Sequence, residues 1–477
     1  MRLKTENPAG ISPDDGSNRG ALTSLALSML LSSLGTSSAN VSLPTLALAF
    51  GASFQAVQWV VLAYLLAVTC LIVSVGRLGD RVGRRRLLMI GVGLFTLASV
   101  GCGLAPGLNA LIAARAAQGL GAAVMMALTL AFVGDAVPKA RIGRAMGLLG
   151  SMSAVGTALG PSLGGVLIAG FGWRAIFLVN LPSGLLTLWL IWRFLPRDRS
   201  TEVGADKGFD LPGTLFLAIS LAAYALAMTR GKGGFGGEAL ALLGVAVAGL
   251  AGFVLVERQV RNPLIRLAMF RDLDLSASLG MSLVVATVMM ATLVVGPFYL
   301  SGALGLDPAR VGLVMSVGPV LSALTGVFAG RAVDRIGTAA AVVCGLAVML
   351  LGAVGLVLLP GLWGYVAALM MLTPGYQLFQ AANNTAVLAG VGADRRGLVS
   401  GLLNLARNLG LVTGASLMGA VFALAVGGDV RASASVALRF GMQMTFGLAA
   451  LLIFGALILA GSGMLRAGRR VRLAVER

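Results

Sequence analysis

Apolar residues in this chain come in long blocks, separated by short segments rich in Gly, Arg and Asp. The blocks are apolar on all sides rather than striped, and each is long enough to cross a bilayer as a helix. They predict fourteen spans, at 22–50, 57–76, 87–106, 108–134, 143–169, 175–195, 211–229, 238–256, 275–301, 310–330, 338–359, 361–390, 397–427 and 442–465. Composition agrees, since 58% hydrophobic and 11% charged residues exclude an ordinary soluble protein of 477 residues. One block breaks the pattern. In Leu31–Pro44, Ser32, Ser33, Thr36, Ser37, Ser38, Asn40 and Ser42 are polar, and none is charged. Ser33, Ser37 and Asn40 recur at helical spacing, which makes them candidates for one wall of a substrate cavity.

A net charge of +18 suits a nucleic-acid partner as well as a membrane, but the basic residues lie between the apolar blocks, as they do beside anionic lipid. With the N-terminus inside, 28 basic residues fall on cytoplasmic segments and six on outer loops, so both termini are expected in the cytoplasm. The polar first 20 residues precede a block too long for a cleaved signal. Cys70, Cys102 and Cys344 lie within apolar blocks and are too few for a disulfide framework.

The chain repeats itself. Gly76-x-x-x-Asp80-Arg81-x-Gly83 recurs as Gly330-x-x-x-Asp334-Arg335-x-Gly337, 254 residues on, and Gly156-x-x-x-Gly160 recurs at the same offset as Gly410-x-x-x-Gly414. Span two therefore matches span ten, and span five matches span thirteen. The expected organisation is a tail at 1–20, a six-helix bundle at 21–200, a linker with two inserted helices at 201–272, a second six-helix bundle at 273–466 and a tail at 467–477. Repeated bundles of this kind place a substrate site between the halves near mid-membrane.

Several residues carry candidate chemistry. Gly76, Asp80, Arg81, Gly83 and Arg84 form a short turn in which glycines permit close helix approach and the acid takes charge-assisted hydrogen bonds; with Gly330, Asp334, Arg335 and Gly337 it reads as a pair of conformational latches. Arg115 and Gln118 lie inside span four, and Asn404, Arg407 and Asn408 inside span thirteen. Intramembrane arginines mark substrate or ion sites, since an unpaired cation there is costly. Either Asp80 or Asp135 reaches in to balance them, or the substrate does. Gly156, Gly160, Pro161 and Gly164 give span five a smooth, kinked face for packing or motion. Gln380, Asn383 and Asn384 in span twelve either bind substrate or hold helices together, and Trp59 and Tyr64 are interface aromatics or cavity wall.

Absences narrow the classes. The chain has no Gly-x4-Gly-Lys-Ser/Thr phosphate loop, so no ATPase motif, and no histidine, which removes histidine metal ligands and Ser-His catalysis. No metal or cofactor site is expected, and an enzyme is a remote alternative.

These motifs resemble the major facilitator superfamily, in particular its fourteen-span drug/proton antiporter branch (the EmrB/QacA-like exporters). The turn at Gly76–Arg86 is similar to the superfamily's signature loop, Arg115-x-x-Gln118-Gly119 to its span-four motif, and Gly156, Gly160 and Pro161 to its antiporter motif. Gln58-Trp59-Val-Val-x-Ala-Tyr64, Trp173-Arg174-x-Ile176-Phe177-x-Val-Asn180-x-Pro182 and Arg261-Asn-Pro263-Leu264 resemble the branch. The resemblance implies a secondary transporter of the bacterial cytoplasmic (inner) membrane, exporting small organic compounds by alternating access with the proton gradient; uptake of a neutral or anionic metabolite or a vitamin such as riboflavin is the alternative. Asn40-Val41-x-Leu43-Pro44 is similar to the end of the branch's span-one motif, whose aspartate falls here on Gly35. With no acid at that position, neutral or anionic substrates are expected over lipophilic cations.

Overall fold

The computed structural model describes residues 14–136, 142–196, 198, 210–230, 237–260, 267–389, 396–427, 430 and 433–475, and among these the regular structure is helical. The first half comprises α1 (Asp14–Ala49), α2 (Phe54–Val82), α3 (Arg84–Gly103), α4 (Leu108–Ala136) and α5 (Ile142–Phe171), then a short α6 (Ala175–Leu178) running into α7 (Asn180–Phe194). A hairpin of α8 (Leu211–Arg230) and α9 (Gly237–Gln259) follows. The second half holds α10 (Leu273–Phe298), α11 (Pro308–Ile336), α12 (Thr338–Leu358), α13 (Gly361–Ala389), α14 (Arg396–Thr413), α15 (Gly419–Val426) and α16 (Ser435–Val475). One π turn, Gly414–Met418, joins α14 to α15, and another, Tyr299–Ala303, ends α10. The last helix runs through the segment read from sequence as a tail.

Twelve helical segments among the described residues are long and apolar enough to cross a membrane. Two more long helices, α5 and α13, lie outside that set. The amides Gln377, Gln380, Asn383 and Asn384 dilute the hydropathy of α13, and part of α5 has side chains outside the described residues.

The chain turns sharply between α2 and α3 at an arginine-rich corner, which marks the basic end of the bundle. Gly83 has φ +98°, and its N–H donates to Gly79 at 3.0 Å to close α2. Its repeat partner Gly337 has φ +81° and donates to Val333 at 2.9 Å to close α11. The two corners are thus built alike, on a backbone conformation open mainly to glycine. They differ in what covers them. The Asp198 carboxylate accepts from the N–H groups of Arg85 at 2.8 Å and Arg86 at 3.1 Å, capping α3 from the segment after α7. A Cβ on Gly83 would strike that carboxylate, whereas one on Gly337 meets nothing within 4 Å. The side chains of Gly76, Asp80 and Arg81 lie outside the described residues.

Within the first half, α5 lays its glycines against α1. A Cβ on Gly156 would lie 2.5 Å from the Leu30 carbonyl, one on Gly160 would overlap Ser37, and one on Gly164 would lie 2.9 Å from Val41. Close helix approach through small residues is how helices associate without a hydrophobic drive. Ser37 donates to the Gly156 carbonyl at 3.3 Å, and Thr287 of α10 donates to the Gly410 carbonyl of α14 at 3.1 Å, the same joint in the second half.

Among the described residues, aromatic contacts join the halves away from the basic end. Phe54 of α2 stacks edge-on against Phe298 at 4.7 Å between ring centres and tilts onto Phe422 at 5.3 Å. The α8–α9 hairpin spans the two halves: Thr214 lies 3.1 Å from Ser74 and Thr229 accepts from the Trp59 indole at 3.0 Å, while Leu217 and Phe253 share a cluster with Leu279, Leu402, Leu405 and Ala406.

Gly83→Ala is therefore expected to cost more stability than Gly337→Ala. Both lose about 1–3 kcal/mol to backbone strain, but only the first also displaces Asp198. Thermal unfolding of the purified variants in detergent measures the difference, and equal losses would show that Asp198 does not rest on Gly83.

Candidate functional site

Arg115, the largest fully buried side chain among the described residues, is 1% exposed. Its Nε donates to the Val60 carbonyl of α2 at 2.9 Å, and Nη1 donates to the Gly35 carbonyl of α1 at 3.0 Å and to Gln118 Oε1 at 2.5 Å. Gln118 passes the chain on, donating to Ser99 Oγ of α3 at 2.6 Å. The guanidinium carbon sits 4.3 Å above the Tyr64 ring and 5.9 Å from that of Phe177. Tyr64 in turn donates to the Ser32 carbonyl at 2.9 Å and accepts from Thr36 at 3.2 Å. One guanidinium thus ties α1, α2, α3 and α4 together through carbonyl dipoles and π faces. Among the described residues the partners of the guanidinium are neutral groups; the side chains of Asp80 and Asp135, the acids that sequence offered as its balance, lie outside the described residues. Arg115 Nη2 retains no hydrogen-bond partner among the described residues.

Gly35 is where this network touches α1. A Cβ there would lie 2.9 Å from Cζ of Phe95, whose ring fills the space that a side chain at 35 needs. The hydroxyl-rich stretch of α1 is likewise absorbed by packing. Ser33 is hydrogen-bonded to Ser153 of α5 at 2.7 Å, Ser37 faces Gly156 and Gly160, and the Asn40 amide donates to the Thr36 carbonyl at 3.1 Å. All three are buried; Ser33 and Ser37 lie in the seam between α1 and α5, and Asn40 bonds within α1.

The second half is different. Leu402, Leu405 and Ala406 of α14 cluster with the α8–α9 hairpin, so at 100° per residue Asn404 and Arg407 lie on the opposite face. Arg407 is exposed and has no ion pair or hydrogen bond among the described residues. The two intramembrane arginines, alike in sequence, therefore part company. On α13, Asn383 is buried and donates to Ser282 of α10 at 2.9 Å, holding helices together, and Gln377 donates to Ser322 of α11. Gln380 and Asn384 fall between those two directions on the helix, so they face the gap between α10 and α11, half-buried. Asn408 is buried. Arg407, Asn404, Gln380 and Asn384 are thus one cation and three amides on helices of one half.

The second-half latch residues stand at the basic end with little to grip. Asp334 and Arg335 are exposed, Asp334 has no partner among the described residues, and a Cβ on Gly330 meets nothing within 4 Å. Arg84 is half-buried at the start of α3. Sequence reading did not single out Asp198 or Gln377. Nor did it give a role to Gln58, whose amide donates to the Ala415 carbonyl at 3.0 Å across the halves. A cavity of about 310 Å³ opens at the end opposite the basic corner, lined by Val41, Pro44 and Thr45 of the first half and Phe298, Ser301 and Val311 of the second.

Known proteins share this architecture and sequence. The Major Facilitator Superfamily profile matches residues 25–415. The chain is 33% identical over 389 residues to the multidrug resistance protein Stp of Mycobacterium tuberculosis, covering 80% of this chain and 72% of that protein. It is 31% identical over 404 residues to the riboflavin transporter RibZ of Clostridioides difficile, covering 84% and 87%. Among solved structures, a bacterial homolog of the human lysosomal transporter Spinster, inward-facing and unoccupied, shares the fold at a TM-score of 0.68 and 16% identity, over 94% of this chain and 97% of that one. The chain belongs to the Major Facilitator Superfamily of multi-pass membrane transporters.

Proposed function

We propose that this transporter is a fourteen-span exporter that moves neutral or anionic organic compounds across a bacterial inner membrane by alternating access, drawing on the proton gradient. The fourteen spans follow from adding α5 and α13 to the twelve helices that meet the length and hydropathy of a span. Placement of the basic corner and both termini in the cytoplasm follows from the distribution of Lys and Arg. A basic end open to the cytoplasm is supported by the aromatic and amide contacts that, among the described residues, join the halves at the other end.

The observation that carries the charge preference is Arg407, an exposed cation with no acid partner among the described residues, in the same half as the amides Asn404, Gln380 and Asn384. Such a set offers hydrogen-bond donors and acceptors to a polar compound and electrostatic attraction to an anion. Arg115 supports the same preference in a different way: its Nε and Nη1 are bonded to groups within the protein, so substrate charge is read at Arg407. Drug export is supported by the likeness to Stp, named a multidrug resistance protein. Uptake of a vitamin-like compound is the second reading, favoured by the likeness to RibZ, named a riboflavin transporter, and by Gly35 in place of a titratable group on α1. Latching at Gly76, Asp80, Arg81, Gly83 and Arg84 remains part of the proposal for closing the cytoplasmic side.

Inverted membrane vesicles carrying the transporter, given an imposed pH gradient and offered cationic, neutral and anionic compounds, are expected to accumulate neutral or anionic ones. Accumulation restricted to quaternary ammonium compounds would overturn the charge preference, and gradient-driven loss from the vesicles would favour uptake.

Gly35→Asp is expected to destabilise rather than to install proton handling, because Phe95 occupies the space beside Gly35. An overpacking loss of about 1–3 kcal/mol is expected, relieved when Phe95→Ala is made in the same chain. Unchanged thermal stability of Gly35→Asp alone would refute the steric account.

A further inference from the structure

The 254-residue repeat maps one contact between the halves onto another. On one flank, α11 crosses α5: a Cβ on Gly312 would overlap the Pro161 carbonyl, and one on Gly165 would lie 2.6 Å from the Pro308 carbonyl and 3.0 Å from the Gly312 Cα. On the other flank, α2 crosses the π turn after α14, where Gln58 reaches the Ala415 carbonyl at 3.0 Å and a Cβ on Gly419 would overlap the Gln58 amide. Adding the offset carries Gln58 to Gly312, Pro161 to Ala415 and Gly165 to Gly419. The same three positions make both crossings. In one of them a glycine lets backbone rest on backbone, and in the other a glutamine side chain fills the space and bonds to the equivalent carbonyl.

That substitution of an amide for a hydrogen atom makes the flanks mechanically unequal. The glycine crossing contains no side chain that must let go, so its helices can roll on each other as a bearing. The Gln58 crossing carries a directional bond that must break before the halves separate there. Its surroundings favour a lock. Gln58 is 1% exposed, and the adjoining Phe54 wedges between Phe298 and Phe422. A π turn, which departs from the regular i→i+4 ladder, presents the accepting carbonyl. The Gln58 Oε1 atom is buried without a hydrogen-bond partner, so opening to water gives it one and offsets part of the bond lost by the amide nitrogen. A lock held by one satisfied and one orphaned atom is firm enough to bias the closed state and weak enough to release.

We propose that Gln58 is the positioning residue that locks the end opposite the basic corner, and that the Gly165–Gly312 crossing is the pivot about which the halves rock. The proposal rests on the alternating-access reading. Its test reads conformation without any substrate, so the two fail separately.

The test uses the full-length protein in lipid nanodiscs, with Cys70, Cys102 and Cys344 replaced by Ser and spin labels at Leu48→Cys and Val436→Cys. Both label sites are exposed, at the same end of the bundle in opposite halves. Pulsed dipolar spectroscopy of this parent is expected to give mainly one short separation. Gln58→Met keeps the length and apolar bulk but removes the donor. It is expected to add a longer separation and raise the open-to-closed ratio roughly ten-fold, the effect of about one net hydrogen bond. Gly419→Ala pushes the same amide aside without changing Gln58 and is expected to give the same longer separation, with the double variant opening no further than either single one. Distance distributions matching the parent in both single variants would overturn the lock, as would additive opening in the double variant. If Gln58→Met does not yield monodisperse protein, Gly419→Ala alone decides by the same criterion. Gln58-dependent opening in a protein that moves nothing in any vesicle assay would overturn the transport reading and leave the lock standing.

Discussion

The first half of this molecule is organised by the need to keep one guanidinium out of water. A charge buried in a bilayer-spanning bundle is tolerated only when its N–H groups are satisfied, and the ordinary solution is a carboxylate. Here Arg115 uses the carbonyls of Gly35 and Val60, the Gln118 amide and the faces of Tyr64 and Phe177. That choice shapes the surroundings. Position 35 must leave its carbonyl free and its side-chain space to Phe95, Tyr64 must lie flat beneath the cation, and Gln118 must hold its acceptor toward Arg115 and its donor toward Ser99. Four helices are fixed relative to one another by a single side chain.

With the first half braced this way, the proposed function places recognition in the second. Ser33 and Ser37 of α1 are spent on α5, through Ser33–Ser153 and Ser37–Gly156. The polar residues of α13 and α14 are divided: Asn383 and Gln377 join helices, while Gln380 and Asn384 are half-buried and Arg407 is exposed. Two halves descended from one repeat have thus taken up different work, and the crossings between them follow suit, with glycine on one flank and Gln58 on the other.

Much of the fold was legible because its signals are local. Block length reports spans, and the two repeated motifs at one offset report the repeat; the positive φ angles of Gly83 and Gly337 give that repeat a backbone form. Helix α13 has a low mean hydropathy because it carries amides, of which Asn383 and Gln377 serve joints within the bundle that composition cannot separate from exposure to water. The site was harder to read. Arg115 and Arg407 look alike as isolated charges in apolar blocks, and what distinguishes them is the identity of carbonyls contributed by other helices. Asp198 caps α3 from more than a hundred residues away, and Gln58 bonds to a backbone atom, so neither leaves a sequence pattern of its own. The serines of α1 do form a pattern, but helical spacing alone could not say whether that face met a cavity or α5.

The central claim is this division of labour between the two arginines, and it is tested most directly by comparing Arg115→Gln with Arg407→Gln for thermal stability and ligand protection. Each purified variant is melted with and without an anionic compound that the parent protein binds. Arg115→Gln is expected to lower the melting temperature by several degrees, as loss of a buried, multiply bonded side chain does, while the folded fraction keeps its protection by the anion. Arg407→Gln is expected to melt like the parent and to lose that protection. Unperturbed melting of Arg115→Gln together with full anion protection of Arg407→Gln would contradict the account.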